Sequence, residues 1–369
     1  MTESTPTITT PATPLAEHLA SESRLELISY RGVLAPQRLD APAAETEALL
    51  LGAAVHDLGW LRRFAVRGED RFRWLSGMVT NTVETLPANR GAYNLVLNAQ
   101  GRIQGDCCVW RSGDSLELEI AADQTDALLA HLDRFIIMDD VELTPLSGQS
   151  ALGLTGPHAE TILNRLGLST LQEELSSSVG TVAGIPVRLD RGHGTIVPHY
   201  ALWAAGEQTP ALWQALLAAG ATAVGAESIE TLRVAEGIPA YGIDIQSRDL
   251  AQETGQGRAL HFTKGCYLGQ EIVERIRSRG QVHRHLRSLE LTLDADSALP
   301  AAGAELRLTG AAPDAKPAGT LTSVAELHRN GTRRILAIGM VRAEAEVGNQ
   351  PLKFPGGTAQ ILFSPPKLT

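Results

Sequence analysis

Residues 264–271 read KGCYLGQE, and they run straight into IVERIRSRG at 272–280. The glycine-punctuated octet predicts a turn. The stretch after it predicts an amphipathic helix, because Ile272, Val273 and Ile276 fall on one stripe while Glu271, Glu274, Arg275 and Arg277 stay polar. That helix should begin near Gly269 or Gln270 and stop by Gly280. Cys266 then stands just ahead of a helix N-terminus, where unpaired N–H groups and the helix dipole favour an anion, and Lys264 adds a positive charge two residues earlier. Such surroundings raise the thiolate fraction, the form that attacks electrophiles or binds soft metals. A small packed hydrophobe is the other reading of a lone cysteine, and on these residues both stay open.

The same helix marks a change in the chain. Beyond residue 284 the segments LRSLELTLD, AELRLTG, AGTLTSV, RRILAIGMVR and AQILFS alternate apolar and polar residues between Gly, Pro and Asp turns. They predict a small antiparallel β-barrel or sandwich over 284–369, with no helix of normal length. Upstream, helices are predicted over 15–27, 45–58, 124–134 and across GEDRFRWLSGMVTNTV (68–83). Strands are predicted in WLRRFAVRG (60–68), through the meander 93–122 and in IIMDDVELTPL (136–146). The pattern restarts near 145–150: ALGLTG as strand, PHAETILNRLG as helix with Pro157 in its first turn, IPVRLDRG and HYALWAA as strands, PALWQALLAAG as helix. Helices and hairpins intermix rather than strictly alternate, so the expected class is α+β, with two αβ subdomains across 15–283.

Composition sets the outer limits. A chain of 369 residues exceeds one ordinary core. Its net charge of −10 argues against coating nucleic acid or an anionic membrane, leaving only the local run RIRSRGQVHRHLR (275–287) as a basic patch. No stretch approaches the roughly 20 apolar residues of a membrane span. Three cysteines, Cys107 and Cys108 among them as strand neighbours facing opposite ways, form neither a disulfide framework nor a metal-ligand spacing, so a reducing cytoplasm and no metal site are expected. Residues 1–14, rich in Thr and Pro, lack the basic start and apolar core of a secretory signal and are read as a disordered tail. His193 and His199, in and beside a Gly-rich hairpin, are read as structural.

KGCYLGQEIVER (264–275), taken with GEDRFRWLSGMVTN (68–81), GAYNLVLNAQGRI (91–103) and ETLRVAEGIPAYGID (230–244), resembles the YgfZ branch of the aminomethyltransferase-like folate-binding proteins, the family of the glycine-cleavage T-protein. The resemblance runs from about Tyr30 through the C-terminal barrel, and the octet is its branch marker. It implies two αβ domains of ferredoxin-like build plus a β-barrel around a channel that holds tetrahydrofolate or a one-carbon derivative. It also implies a role in assembly or repair of 4Fe-4S enzymes, such as the tRNA methylthiotransferase, as partners. No direct nucleic-acid contact, no membrane contact and a monomer are expected.

Residue by residue, the resemblance implies Tyr93 and Asn81 beside the folate, with Arg233, Tyr267 and Arg275 as further contacts. Asp244, Glu253 and Lys264 keep the family's spacing, Lys264 standing where that family has arginine; a lysine still holds a carboxylate as a point charge but without the bidentate fork. Cys266 and Asp106 are the implied chemical groups. Two positions depart from the T-protein. GRIQGD carries Gly105 in place of the first of two acids and keeps only Asp106, and RVAEG carries Ala235 where a pterin-binding glutamate is expected, with Glu236 one position later, ~100° round a helix. Aminomethyl transfer to tetrahydrofolate, which needs a carboxylate at the reacting nitrogens, is the alternative function.

Overall fold

A computed structural model describes residues 10–22, 24–312, 314–329 and 331–368. The chain opens with helix α1 (Pro14–Glu22) and the hairpin β1 (Leu27–Tyr30) and β2 (Val33–Pro36). The helix expected over 15–27 is cut short because Leu27 onward pairs with Pro36 in that hairpin. Of the expected tail, residues 1–9 lie outside the described residues. The remainder is ordered, contrary to expectation: Ala12 bridges Leu34, and Thr13 is buried with its hydroxyl donating to the Asp57 carboxylate.

Pro42 sits in the first turn of α2 (Pro42–Leu51), which ends at Gly52 and gives way to β3 (Ala54–Asp57). The helix expected over 45–58 thus ends early, its last residues joining a sheet. Next come β4 (Leu61–Arg67), α3 (Arg71–Met78), β5 (Arg90–Leu97), β6 (Ile103–Ser112), β7 (Ser115–Ala121), α4 (Thr125–Asp133) and β8 (Glu142–Pro145). The five strands form one antiparallel sheet in the order β5-β6-β7-β4-β8. Period-two alternation puts Val109, Leu116 and Leu118 on the face where Trp74 and Leu75 of α3 and Leu128 and Leu132 of α4 pack. Only Glu142–Pro145 of the strand expected over 136–146 joins the sheet; Ile137 and Met138 stand out in solvent.

The second layer takes β9 (Gln149–Thr155), α5 (Ala159–Arg165), β10 (Ser177–Val182), β11 (Ile185–Arg191), β12 (His199–Ala205), α6 (Thr209–Ala218), β13 (Thr222–Ala223) and α7 (Ala226–Glu236). Its sheet runs β10-β11-β12-β9-β3-β13, with β13 parallel to β3. After α8 (Gln270–Arg279), six strands close a barrel: β14 (Arg284–Leu293), β15 (Glu305–Leu308), β16 (Gly319–Arg329), β17 (Thr332–Arg342), β18 (Leu352–Phe354) and β19 (Gly357–Leu362), with the single turn α9 (Ala343–Glu346) before β18. The fold is α+β, two αβ layers and a closed antiparallel barrel.

Two kinds of contact hold these parts together. An apolar cluster joins Leu49 and Leu50 of α2 and Leu232 and Val234 of α7 to Leu286, Leu336 and Ile338 of the barrel. Between the two sheets a buried ion cluster forms: Arg63 on β4 donates to Glu119 of its own sheet (2.6 Å) and to Asp190 of the other (2.5 Å), while its guanidinium lies 4.1 Å from the Trp203 ring centroid.

Candidate functional site

Where the two sheets and α7 meet lies a cavity of about 320 Å³, at the small end of the range for ligand pockets. Strand β5 brings Tyr93 to its wall and β6 brings Asp106, diagonal neighbours on adjacent strands, since Tyr93 is in register with Cys108 and Asp106 with Leu95. The Tyr93 hydroxyl donates to Asp106 Oδ2 (2.7 Å), Gln124 Nε2 donates to Oδ1 (2.6 Å), and the Asp106 backbone N–H returns a bond to Gln124 Oε1 (3.1 Å). Both carboxylate oxygens are therefore oriented, and each keeps a free lone pair. Burial, and secondarily Asp106, holds the Tyr93 phenol well above its ordinary range, so it stays a donor.

Gly105 sits one residue before Asp106 on β6 and faces the other way. A Cβ there would fall 2.9 Å from both Gln124 Oε1 and a Leu128 methyl. Position 105 thus points into the packing under α4, while the acid that the chain keeps is the one facing the cavity.

Across the cavity, Glu236 at the end of α7 is 3 % exposed. The one-residue shift does not turn it away, for it lines the wall. Its carboxylate accepts from the backbone N–H of Ile196 (3.0 Å) and Val197 (3.2 Å) and from His199 Nε2 (2.8 Å). His199 Nδ1 lies 3.3 Å from Thr155 Oγ1, which lies 3.0 Å from His56 Nε2. Burial, then His199, pushes His56 down to about 3, so it is neutral near pH 7. The Gly153 backbone passes so close that a Cβ would lie 2.0 Å from His56 Cε1. Both His193 and His199, read from sequence as structural, line the cavity. No sequence signal marks this chain of contacts, whose members lie 37, 44 and 99 residues apart.

Two cations unforeseen in the sequence also reach the wall. Arg258 stacks 4.2 Å from the Tyr93 ring centroid, and Arg31, at the tip of the β1–β2 hairpin, lies 5.5 Å from that of Trp60. Among the described residues, the wall's buried Trp60 Nε1 and Trp110 Nε1 have no hydrogen-bond partner. Aromatic faces, unpaired ring nitrogens and flanking guanidinium groups suit a flat heteroaromatic ligand with an anionic tail.

A sequence model described as the GCVT N-terminal domain matches residues 28–264. The chain belongs to this aminomethyltransferase-like family. It is 29% identical over 276 residues to an aminomethyltransferase of Anoxybacillus flavithermus, covering 72% of this chain and 76% of that one. It is 30% identical to an aminomethyltransferase of Thermus thermophilus, over 63% of this chain and 68% of the relative. A putative chloroplastic transferase of Arabidopsis thaliana is 25% identical over 81% of this chain and 67% of its own length. The crystal structure of the glycine cleavage system aminomethyltransferase T from Bartonella henselae shares the fold: TM-score 0.82, 18% identity, 96% and 97% of the two chains.

Within this family fold, several sequence-selected residues stand apart from the cavity. Lys264 spends all three ammonium donors on the carbonyls of Ser76 (2.7 Å), Val79 (2.6 Å) and Asn81 (2.8 Å), closing the C-terminal end of α3. Burial pushes its amine down to about 8. Asn81 braces the wall from behind, its side-chain amide donating to the carbonyls of Tyr93 (3.1 Å) and Arg258 (2.8 Å). Glu253 caps Leu250 N–H (2.8 Å) and pairs with Arg284 of the barrel (2.9 Å). Tyr267 is buried in the core that joins α8 to the barrel, and Arg275 is exposed on α8. Arg233 lines the cavity, but its guanidinium is engaged by Glu230, Asp244, the Ile238 carbonyl and Ser323. Cys266 is exposed in the turn ahead of α8. The turn and helix start are where the sequence predicts them; the direction of Lys264 is not.

Proposed function

We propose that the chain binds a tetrahydrofolate in the cavity between its two sheets and serves assembly or repair of 4Fe-4S clusters in client enzymes, a tRNA methylthiotransferase among them. The observation carrying this reading is the layout of KGCYLGQE: Lys264 and Tyr267 are anchored inward, and Cys266 is held between them in solvent. A thiol so placed is available to a partner surface or to a cluster in transit, and the octet's resemblance to the YgfZ branch supports that use. Arg258 and Arg31, rather than Lys264, would hold the folate carboxylates; Trp60 and Trp110 would donate to the ring; Asp106 would accept from it. Bound tetrahydrofolate supplies a carrier for a one-carbon unit. Calorimetric titration with tetrahydrofolate tests the pocket: Arg258→Ala should weaken binding about tenfold, a lost charge-assisted hydrogen bond, and Lys264→Ala should leave it unchanged. In a deletion strain, Cys266→Ser should fail to restore cluster-dependent activity; full restoration would sink the thiol's role.

Asp106 supports a second reading, aminomethyl transfer to tetrahydrofolate. A carboxylate facing the cavity is present and held by Tyr93 and Gln124 even with Gly105 in place of the other acid, which supports acid–base work at this wall. Tetrahydrofolate-dependent ammonia release from a lipoyl-bound aminomethyl group, abolished in Asp106→Asn, would favour this reading; no release with intact folate binding would leave the first.

A further inference from the structure

A second cavity, about 470 Å³, opens between the barrel and the loop 243–249. The buried pair Arg233–Asp244 (2.6 Å) separates it from the first, since Arg233 lines one cavity and Asp244 the other. Asp244 is pinned by a register irregularity in β16 between Leu321 and Ser323. In a regular strand Thr322 and Ser323 would face opposite ways. Here both hydroxyls donate to Asp244 Oδ1, at 2.5 and 2.7 Å.

The ion pairs around this cavity are uneven in strength. Asp244 is answered by Arg233, the Ala240 N–H and the two hydroxyls, and Asp249 by the Gln246 N–H (2.7 Å) and by Arg284 (2.8 Å), which it shares with Glu253 (2.9 Å). Each acid thus has a cation and hydrogen-bond donors inside the protein. Two lining cations are held more loosely: among the described residues Arg342 pairs with the exposed Glu344 at 3.4 Å, where water screens the pair, and Arg248 forms no direct ion pair, its charge reaching Asp249 at longer range. Ile243, Leu321 and Met340 add apolar surface to the lining.

We propose that this cavity is a binding site for a small organic anion, a dicarboxylate or a phosphate ester, gripped by Arg248 and Arg342 with its carbon body against Met340 and Leu321. Guanidinium groups suit such ligands because they donate two parallel N–H bonds to one anionic group.

Methionine methyl NMR tests it on the full chain. Of four methionines, Met340 lines the cavity, Met78 packs in the first sheet's core and Met138 is on an exposed loop. Titration with glutarate, and separately with inorganic pyrophosphate, should move the Met340 methyl signal saturably and leave Met78 and Met138 in place; which titrant acts separates the two ligand classes. Sodium chloride at matched ionic strength should not move it. Arg248→Ala with Arg342→Ala should weaken the response at least about tenfold, the loss of a charge-assisted contact, with the Met78 signal unchanged as the check on folding. No saturable shift with either anion, an equal shift with chloride, or an undiminished response in the double variant would overturn the proposal.

Discussion

Cys107 and Cys108 stand in the wall of the first sheet, both thiols held well above their ordinary range by burial and by neighbouring carboxylates, whereas Cys266 is open to solvent. Reactivity follows thiolate fraction and access. Native protein should therefore give one fast equivalent with a disulfide-forming thiol reagent and release the other two only on unfolding; two fast equivalents would contradict this geometry. Asp57 supplies a pH-dependent counterpart. Burial pushes its carboxyl from 3.8 up to about 6, against the opposing hydrogen bonds from Thr13 and Gly59 N–H. Since its folded state binds the proton more tightly than its unfolded state, its contribution to stability increases as pH falls from about 6 to 3.8 and is constant below. Wild type should accordingly gain in Tm relative to Asp57→Asn through that window, read by paired melts at matched pH.

At the scale of elements, Lys264 shows what a motif conceals. The periodicity of Ile272, Val273 and Ile276 was enough to set α8, and the observed Gln270–Arg279 starts and stops where Gly269 and Gly280 indicate. Nothing local to the octet says that its lysine reaches back some 185 residues to finish α3. Helix ends leave carbonyls unsatisfied, and a cation there answers both the acceptors and the dipole. Replacing Lys264 by Met should cost roughly 1–3 kcal/mol, the price of stranding buried acceptors, in urea unfolding, with tetrahydrofolate affinity unchanged. β10 escaped sequence reading because SSVGTV carries a central glycine, and β3 because Val55 continues the helical spacing of α2 past Gly52. The barrel strands, with their plain alternation, were legible; the three-residue β18 was too short to be.

For the whole molecule, Arg63 is the joint between the sheets. Its charge is buried against Glu119 and Asp190, and removing one partner of such a cluster strands the others. Arg63→Met should destabilise by about 3–5 kcal/mol in urea unfolding, and adding Glu119→Gln and Asp190→Asn should recover part of that loss. This joint, like the Glu236–His199–Thr155–His56 contacts, is assembled from residues far apart in sequence; that is why the class of fold could be read from local pattern while the wall of the site could not. Chain order within the two sheets carries a last consequence. The first sheet is drawn from one uninterrupted stretch, 61–145, whereas β3, at 54–57, pairs with β9 and then waits for β13 at 222–223 on its other edge. During synthesis from the N-terminus the first sheet is therefore complete while β3 still lacks both neighbours, and the ribosome must deliver nearly 80 further residues before its last edge is covered. Stalled translation products ending near residue 150 should already protect β5–β7 from proteolysis and leave the 54–57 segment open to cleavage.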